Sequence, residues 1–235
     1  GFIGAKFGLP YAEPFTFLFI RFVLTLLLLT PLTWVMRISW PSSPTLWKHI
    51  AVSGFLVHGT YLGGVFYSIY LGMPAGLAAL LVGLQPLLTA ACAGPLLGER
   101  LTRRQWLGLL LGLVGISLVL GSKLELGSTL FSGFGMGALV SVMAALVGIS
   151  LGTLYQKRYC TSMPLLSGAA IQYMAAGGLL GIGALLFESR EVEWSSTFIL
   201  TLGWLVLILS IAAILLLMAL IKKGEASRVA SLFYL

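Results

Sequence analysis

Residues 14–35 read PFTFLFIRFVLTLLLLTPLTWV, a stretch of 22 residues that carries a single charge, Arg21. A helix needs roughly 20 predominantly apolar residues to cross the hydrocarbon core of a bilayer. This stretch meets that length with Pro14 at its head, where a proline ring costs a helix nothing because the first N–H groups have no partner anyway. Water is therefore a poor solvent for this segment, and lipid is a good one.

The same pattern repeats outward along the chain. Apolar segments able to span fall at about 46–71, 75–97, 104–121, 131–156, 164–187 and 196–221, giving seven with the first. Gly1 to Leu9 is too short to cross and reads as the tail of a preceding helix, and Ala226 to Leu235 reads as the start of another. The expectation is a piece of a longer protein, with seven whole helices and two partial ones. The whole chain is 59% hydrophobic and 9% charged, against about 25% charged in soluble domains. A lipid-facing backbone must satisfy its own hydrogen bonds, and no period-2 alternation is sustained enough for a barrel, so the predicted fold class is all-α membrane protein.

Turn chemistry separates the segments. Pro10 and Pro14 bracket the first break, Pro41 to Pro44 with Ser42 and Ser43 make the second, and Gly72-Met73-Pro74 makes a tight third. Such short connections force neighbouring helices to run antiparallel.

The net charge of +7 does not point to nucleic acid, because the basic residues sit singly or in small groups at the ends of apolar segments. Alternate breaks collect Arg37 and Lys48, then Arg100, Arg103 and Arg104, then Lys157 and Arg158, then Lys222, Lys223 and Arg228. The opposite breaks hold only Lys123 and Arg190. Positively charged loops stay on the cytoplasmic side, so the first set is expected to face inward. Cys92 and Cys160 have neither disulfide nor metal-ligand spacing and read as free thiols.

The chain also matches itself at one offset, 151 residues. Gly1 and Lys6 fall on Gly152 and Lys157, Arg21 falls on Gln172, and Ala75, Ala79, Leu81 and Leu84 fall on Ala226, Ala230, Leu232 and Leu235. A repeat of five helices is odd, so its second copy enters the membrane from the other side. The expected organisation is an inverted repeat of two five-helix halves, 1–121 and 131–235, truncated here at both ends. Inverted repeats recur in secondary transporters, whose two halves pack in two near-equivalent ways around one site.

One stretch carries a family likeness. Residues 73–86, MPAGLAALLVGLQP, continue to Leu97-Gly98-Glu99-Arg100-Leu101-Thr102, and Glu13-Pro14-Phe15 leads to Arg21-Phe22. The chain resembles the drug/metabolite transporter superfamily and, within it, the EamA-type carriers of bacteria. The resemblance implies ten helices in the parent protein, cytoplasmic termini, a cavity between the halves and the bacterial inner membrane. It implies transport, with export of an amino acid or related metabolite as the common theme, and no cofactor. A homodimer is allowed.

Polar residues inside apolar segments are the candidate site, since ionisable groups at membrane depth are costly and usually face a cavity. His58 is a candidate solute contact or a packed histidine with one hydrogen bond, and Tyr61 shares its helix face. Gln85 precedes Pro86, which breaks the hydrogen-bond ladder and reads as a broken helix or a packing kink. Arg21 lies about 10 Å into its helix. It can hold an anionic solute or snorkel outward toward Glu13 and the headgroups. Tyr155 and Gln172 complete the candidates as cavity walls. The pairs Gly4/Gly8, Gly59/Gly63, Gly108/Gly112, Gly133/Gly137, Gly148/Gly152 and Gly177/Gly181 read as close-packing seams.

Enzyme chemistry is disfavoured. The sequence has no Asp, none of its seven acidic residues lies at membrane depth, and the two histidines lack metal partners. A membrane-embedded enzyme of lipid or isoprenoid metabolism and a non-transporting scaffold are the alternatives to a carrier.

Overall fold

In the computed structural model, residues 1–98, 102–125 and 133–222 are described. Glu99, Arg100 and Leu101 of the family-like stretch lie outside them, as do Lys223, Arg228 and the expected helix at 226–235 with its repeat matches.

The described chain is helical throughout. A short α1 (Phe2–Gly8) leads to α2 (Pro14–Val35) and α3 (Pro44–Tyr70). Next come α4 (Ala75–Leu97), α5 (Arg103–Glu125), α6 (Met136–Tyr159) and α7 (Leu165–Phe187). The last, α8 (196–222), is built from Ser196–Gly203, a π-helical stretch Trp204–Ala212 and Ala213–Lys222. Among the described residues, six of the seven expected spans are long and apolar enough to cross a membrane. The seventh, α5, is a 23-residue helix that is apolar over Gln105–Gly115 as far as its side chains are described.

Local chemistry sets these boundaries. Ser43 and Ser195 cap α3 and α8, each hydroxyl accepting from the backbone N–H three residues on, at 3.4 and 3.2 Å. Pro14 and Pro44 stand at the first turns of α2 and α3. The tight turn after α3 has Gly72 at φ 96°, a conformation that a Cβ would strain, and its Cβ would also meet the Gly133 carbonyl. Gln85-Pro86 does break α4: Ala75–Val82 and Gln85–Leu97 are separate helical pieces joined at Gly83-Leu84.

Helix α2 packs along α7, and α3 packs along both α6 and α7. Aromatic side chains tie α2, α3 and α8 together: the Phe17 ring centroid lies 5.5 Å from Phe66 and 5.1 Å from Phe198. In lipid such contacts replace the hydrophobic effect as the force between helices, which puts a premium on close approach. The small residues supply it. A Cβ on Gly54 would run into the Gln172 backbone, and one on Gly64 would come 2.5 Å from the Ser141 carbonyl. Gly148 and Gly152 meet Leu56, Val57 and Thr60 of α3 in the same way. Gly108 and Gly112 differ, with nothing within 4 Å, so that pair is no seam among the described residues.

Two helices leave α geometry, and they do so at corresponding places. In α3 the π-helical stretch is Phe55–Thr60, and in α8 it is Trp204–Ala212. Shifted by 151, the first falls inside the second. The same shift carries the end of α1 at Gly8 to Tyr159, the end of α6, and the start of α2 at Pro14 to Leu165, the start of α7.

Candidate functional site

Arg21 projects from α2 into the bundle and is 5% exposed. Its Nη2 donates to Ser210 Oγ of α8 across 3.3 Å, a long bond. Its Nε and Nη1 meet no acceptor among the described residues. The helices it lies among, α2, α3, α7 and α8 with the start of α1 at Gly1, contain no Asp or Glu at all. Placing such a charge at the centre of a membrane helix costs roughly 2.5–3.5 kcal/mol on insertion scales. The snorkelling alternative fails because Glu13 is engaged elsewhere and the guanidinium points inward.

Around this cation stand three neighbours that the sequence nominated, Tyr61, His58 and Gln172, and one that it did not, Tyr173. Tyr61 of α3 and Tyr173 of α7 lie within its electrostatic reach, and so does His58. The His58 ring stacks on Tyr173 at 4.6 Å between centroids and meets the edge of Phe22 at 6.3 Å. Gln172 neighbours His58, and its Nε2 donates to Ser53 Oγ at 2.6 Å and to Gln156 Oε1 at 3.1 Å. His58 sits in the π-helical stretch of α3 and Ser210 in that of α8, so both irregular turns face the arginine. π-helical turns are energetically poorer than α-turns and concentrate at functional sites.

His58 is deep in the protein yet keeps part of its surface accessible. Elsewhere on the bundle, an open apolar groove of about 390 Å³ lies between α3, α6 and α7. It runs past Phe15, Gly59, Thr60, Tyr67 and Phe187, and its lining includes none of Arg21, His58, Tyr61, Gln172 or Tyr173. That volume suits a small ligand.

Four of the six nominated residues, Arg21, His58, Tyr61 and Gln172, thus come together. Gln85 and Tyr155 do not join them. Gln85 makes one long contact, 3.5 Å from Nε2 to Thr153 Oγ1 on α6. Tyr155 accompanies His49 instead, with 2.7 Å between its hydroxyl and His49 Nδ1, and His49 also stacks on Tyr159 at 4.7 Å. This group joins α3 to α6 at the end that carries Lys48 and Arg158. Among the described residues no three His, Cys, Asp or Glu side chains gather as a metal site would need. Both cysteines are free, and burial pushes the Cys160 thiol up.

Tyr173, Ser210 and Gln156 belong to the cluster although the sequence did not single them out as site residues. Ser210 could have been noticed as the lone polar residue in the middle of WLVLILSIA. Also missed was a clasp at the opposite end of the bundle. The Glu188 carboxylate, just past α7, accepts from the backbone N–H groups of Phe15 and Thr16 at 2.8 and 2.7 Å and from the Thr16 hydroxyl at 2.7 Å. It thereby caps α2 from another helix. Glu13 reciprocates, accepting from the Ser189 N–H and hydroxyl at 2.6 and 2.7 Å and, at 3.3 Å, from the N–H of Arg190, whose φ is 64°. An isolated antiparallel bridge between Ala12 and Val192 completes the junction.

A model of the EamA-like transporter family matches residues 1–121, more than half of the 235 in the chain. The chain belongs to this family. As an EamA-like transporter it falls within the drug/metabolite transporter superfamily, and its curated relatives carry matching names. "Uncharacterized transporter YvbV" of Bacillus subtilis is 27% identical over 98% of this chain and 73% of its own length. "Uncharacterized inner membrane transporter YedA" of Escherichia coli is 29% identical over 78% of this chain. "Probable amino-acid metabolite efflux pump" of Salmonella typhimurium is 27% identical over 72% of this chain. In the last two the match spans 58% of the relative's length. No solved structure matches the chain.

Proposed function

We propose that the parent protein is a carrier of the bacterial inner membrane that moves a small organic solute by alternating access, holding it at the cluster of Arg21, His58, Tyr61, Gln172 and Tyr173. One observation carries this reading: an incompletely bonded cation lies where α2, α3, α7 and α8 meet, flanked by the two π-helical turns. Two halves, 1–121 and 131–235, are the natural moving parts. The 151-residue spacing of helix ends and π-helical stretches supports an inverted repeat, and Arg21 and its repeat mate Gln172 both line the cluster.

Export of an amino acid or a related metabolite is the working assignment, supported by the name of the Salmonella relative. Gln85 and Tyr155 belong to the inner approach rather than to the binding centre. Family membership favours transport over catalysis, and so does the lack of carboxylates in the four helices around the cluster.

Counterflow of radiolabelled amino acids into proteoliposomes containing the full-length protein tests the reading. Saturable uptake, lost in His58→Ala and Gln172→Ala while both variants stay monodisperse, is expected. Uptake no faster than in empty liposomes across the common amino acids and their metabolites would overturn it.

A further inference from the structure

The open donors of Arg21 define what the cluster can hold. Guanidinium is planar and presents its N–H groups in forks, one formed by Nε with Nη2 and the other by Nη1 with Nη2. Ser210 takes a single Nη2 hydrogen, leaving the second Nη2 hydrogen together with Nε or with Nη1. One complete two-donor fork therefore remains open whichever hydrogen Ser210 takes. Cation, depth and open fork together describe a receptor for a planar anion, because a carboxylate's two oxygens match a guanidinium fork in spacing and charge.

Resting on the carrier reading above, we propose that Arg21 is the specificity-determining residue of the site, accepting the solute through a single carboxylate held side by side with the guanidinium. A monoanion is favoured over a phosphate dianion, because the four surrounding helices place no second Lys or Arg within their buried spans. Cationic solutes are excluded by repulsion, since no Asp or Glu in those helices can offset Arg21. The rings of Phe22, Tyr173 and His58 pack against one another beside the guanidinium. An amide or an amine in place of the carboxylate leaves the fork without its counter-charge.

Thermal stabilisation of the full-length protein in detergent, followed by counterflow in proteoliposomes, tests this with three forms of each probe. The probes are the common L-amino acids, their amides and their decarboxylated amines. At least one acid should stabilise and be transported, with its amide and amine weaker by about tenfold or more, the difference a lost charge-assisted pair makes. Arg21→Lys keeps the charge without the fork and should lower affinity for the acid. Arg21→Gln should erase the preference for acid over amide. If Arg21→Gln does not fold, the wild-type comparison and Arg21→Lys still decide. Amides or amines acting as well as acids would leave the carrier standing and remove the carboxylate assignment, as would an unchanged preference in Arg21→Lys and Arg21→Gln. Neither stabilisation nor flux from any probe would remove both.

Discussion

At the scale of single residues, two charges show how context decides a role. Arg21 and Glu13 lie eight positions apart and could pair along one helix face, yet the structure sends them opposite ways. Glu13 turns to the backbone after α7, and Arg21 turns to the interior. The partner that sequence could not supply was Glu188, 175 positions beyond Glu13 in the chain. A carboxylate at a helix N-terminus satisfies orphan N–H groups and complements the helix dipole. Glu188→Ala should therefore destabilise the protein by about 1–2 kcal/mol, with Glu188→Gln costing less. The thermal midpoint of the full-length protein in detergent reads this directly, and an unchanged midpoint in Glu188→Ala would show that the clasp adds no stability. His58 and Gln172 were legible because a polar residue inside an apolar run needs an explanation, and Tyr61 because it shares a helix face with His58. Ser210 gave the same signal more weakly, Tyr173 gave none that sets it apart from other membrane tyrosines, and only the fold brings these two against Arg21.

At the scale of helices, hydropathy and turn chemistry were enough. Six segments came out as spans, with ends set by Pro14, Ser43 and Pro44, Gly72 and Ser195, and Gln85-Pro86 breaks α4 where the missing proline N–H predicted. The π-helical turns were not legible, since no residue type encodes them and they depend on what packs alongside. Helix α3 shows the constraint: Gly54 lies directly before its irregular turn and touches the backbone of Gln172, while Gly148 and Gly152 of α6 take up the turn's other side. Adding a methyl group at Gly54 must separate α3 from α7. Gly54→Ala is expected to cost about 1–3 kcal/mol, typical of overpacking, and to lower transport by displacing Gln172 from His58. Gly108→Ala, in open space, should change neither. Comparing the two variants by thermal unfolding and counterflow checks the claim, and equal behaviour would refute it.

At the scale of the molecule, the proposed repeat, the cluster and the proposed motion bear on one another. In the sequence, the proposed repeat rests on scattered identities at one offset. Helix ends and π-helical stretches fall at the same spacing, which residue letters alone could not reveal because most of them are interchangeable apolar types. The clasp ties the start of α2 to the end of α7, and Phe15 and Phe187 beside it line the groove between α3, α6 and α7. Two rigid halves rocking about the cluster would expose Arg21 to each side in turn. The direct test uses Tyr61→Cys in the full-length protein with Cys92 and Cys160 replaced, treated with a membrane-impermeant maleimide from one face of the membrane at a time. Labelling from both faces is expected, with protection from both by a transported solute. Labelling from one face only, or protection by no transported solute, would contradict it.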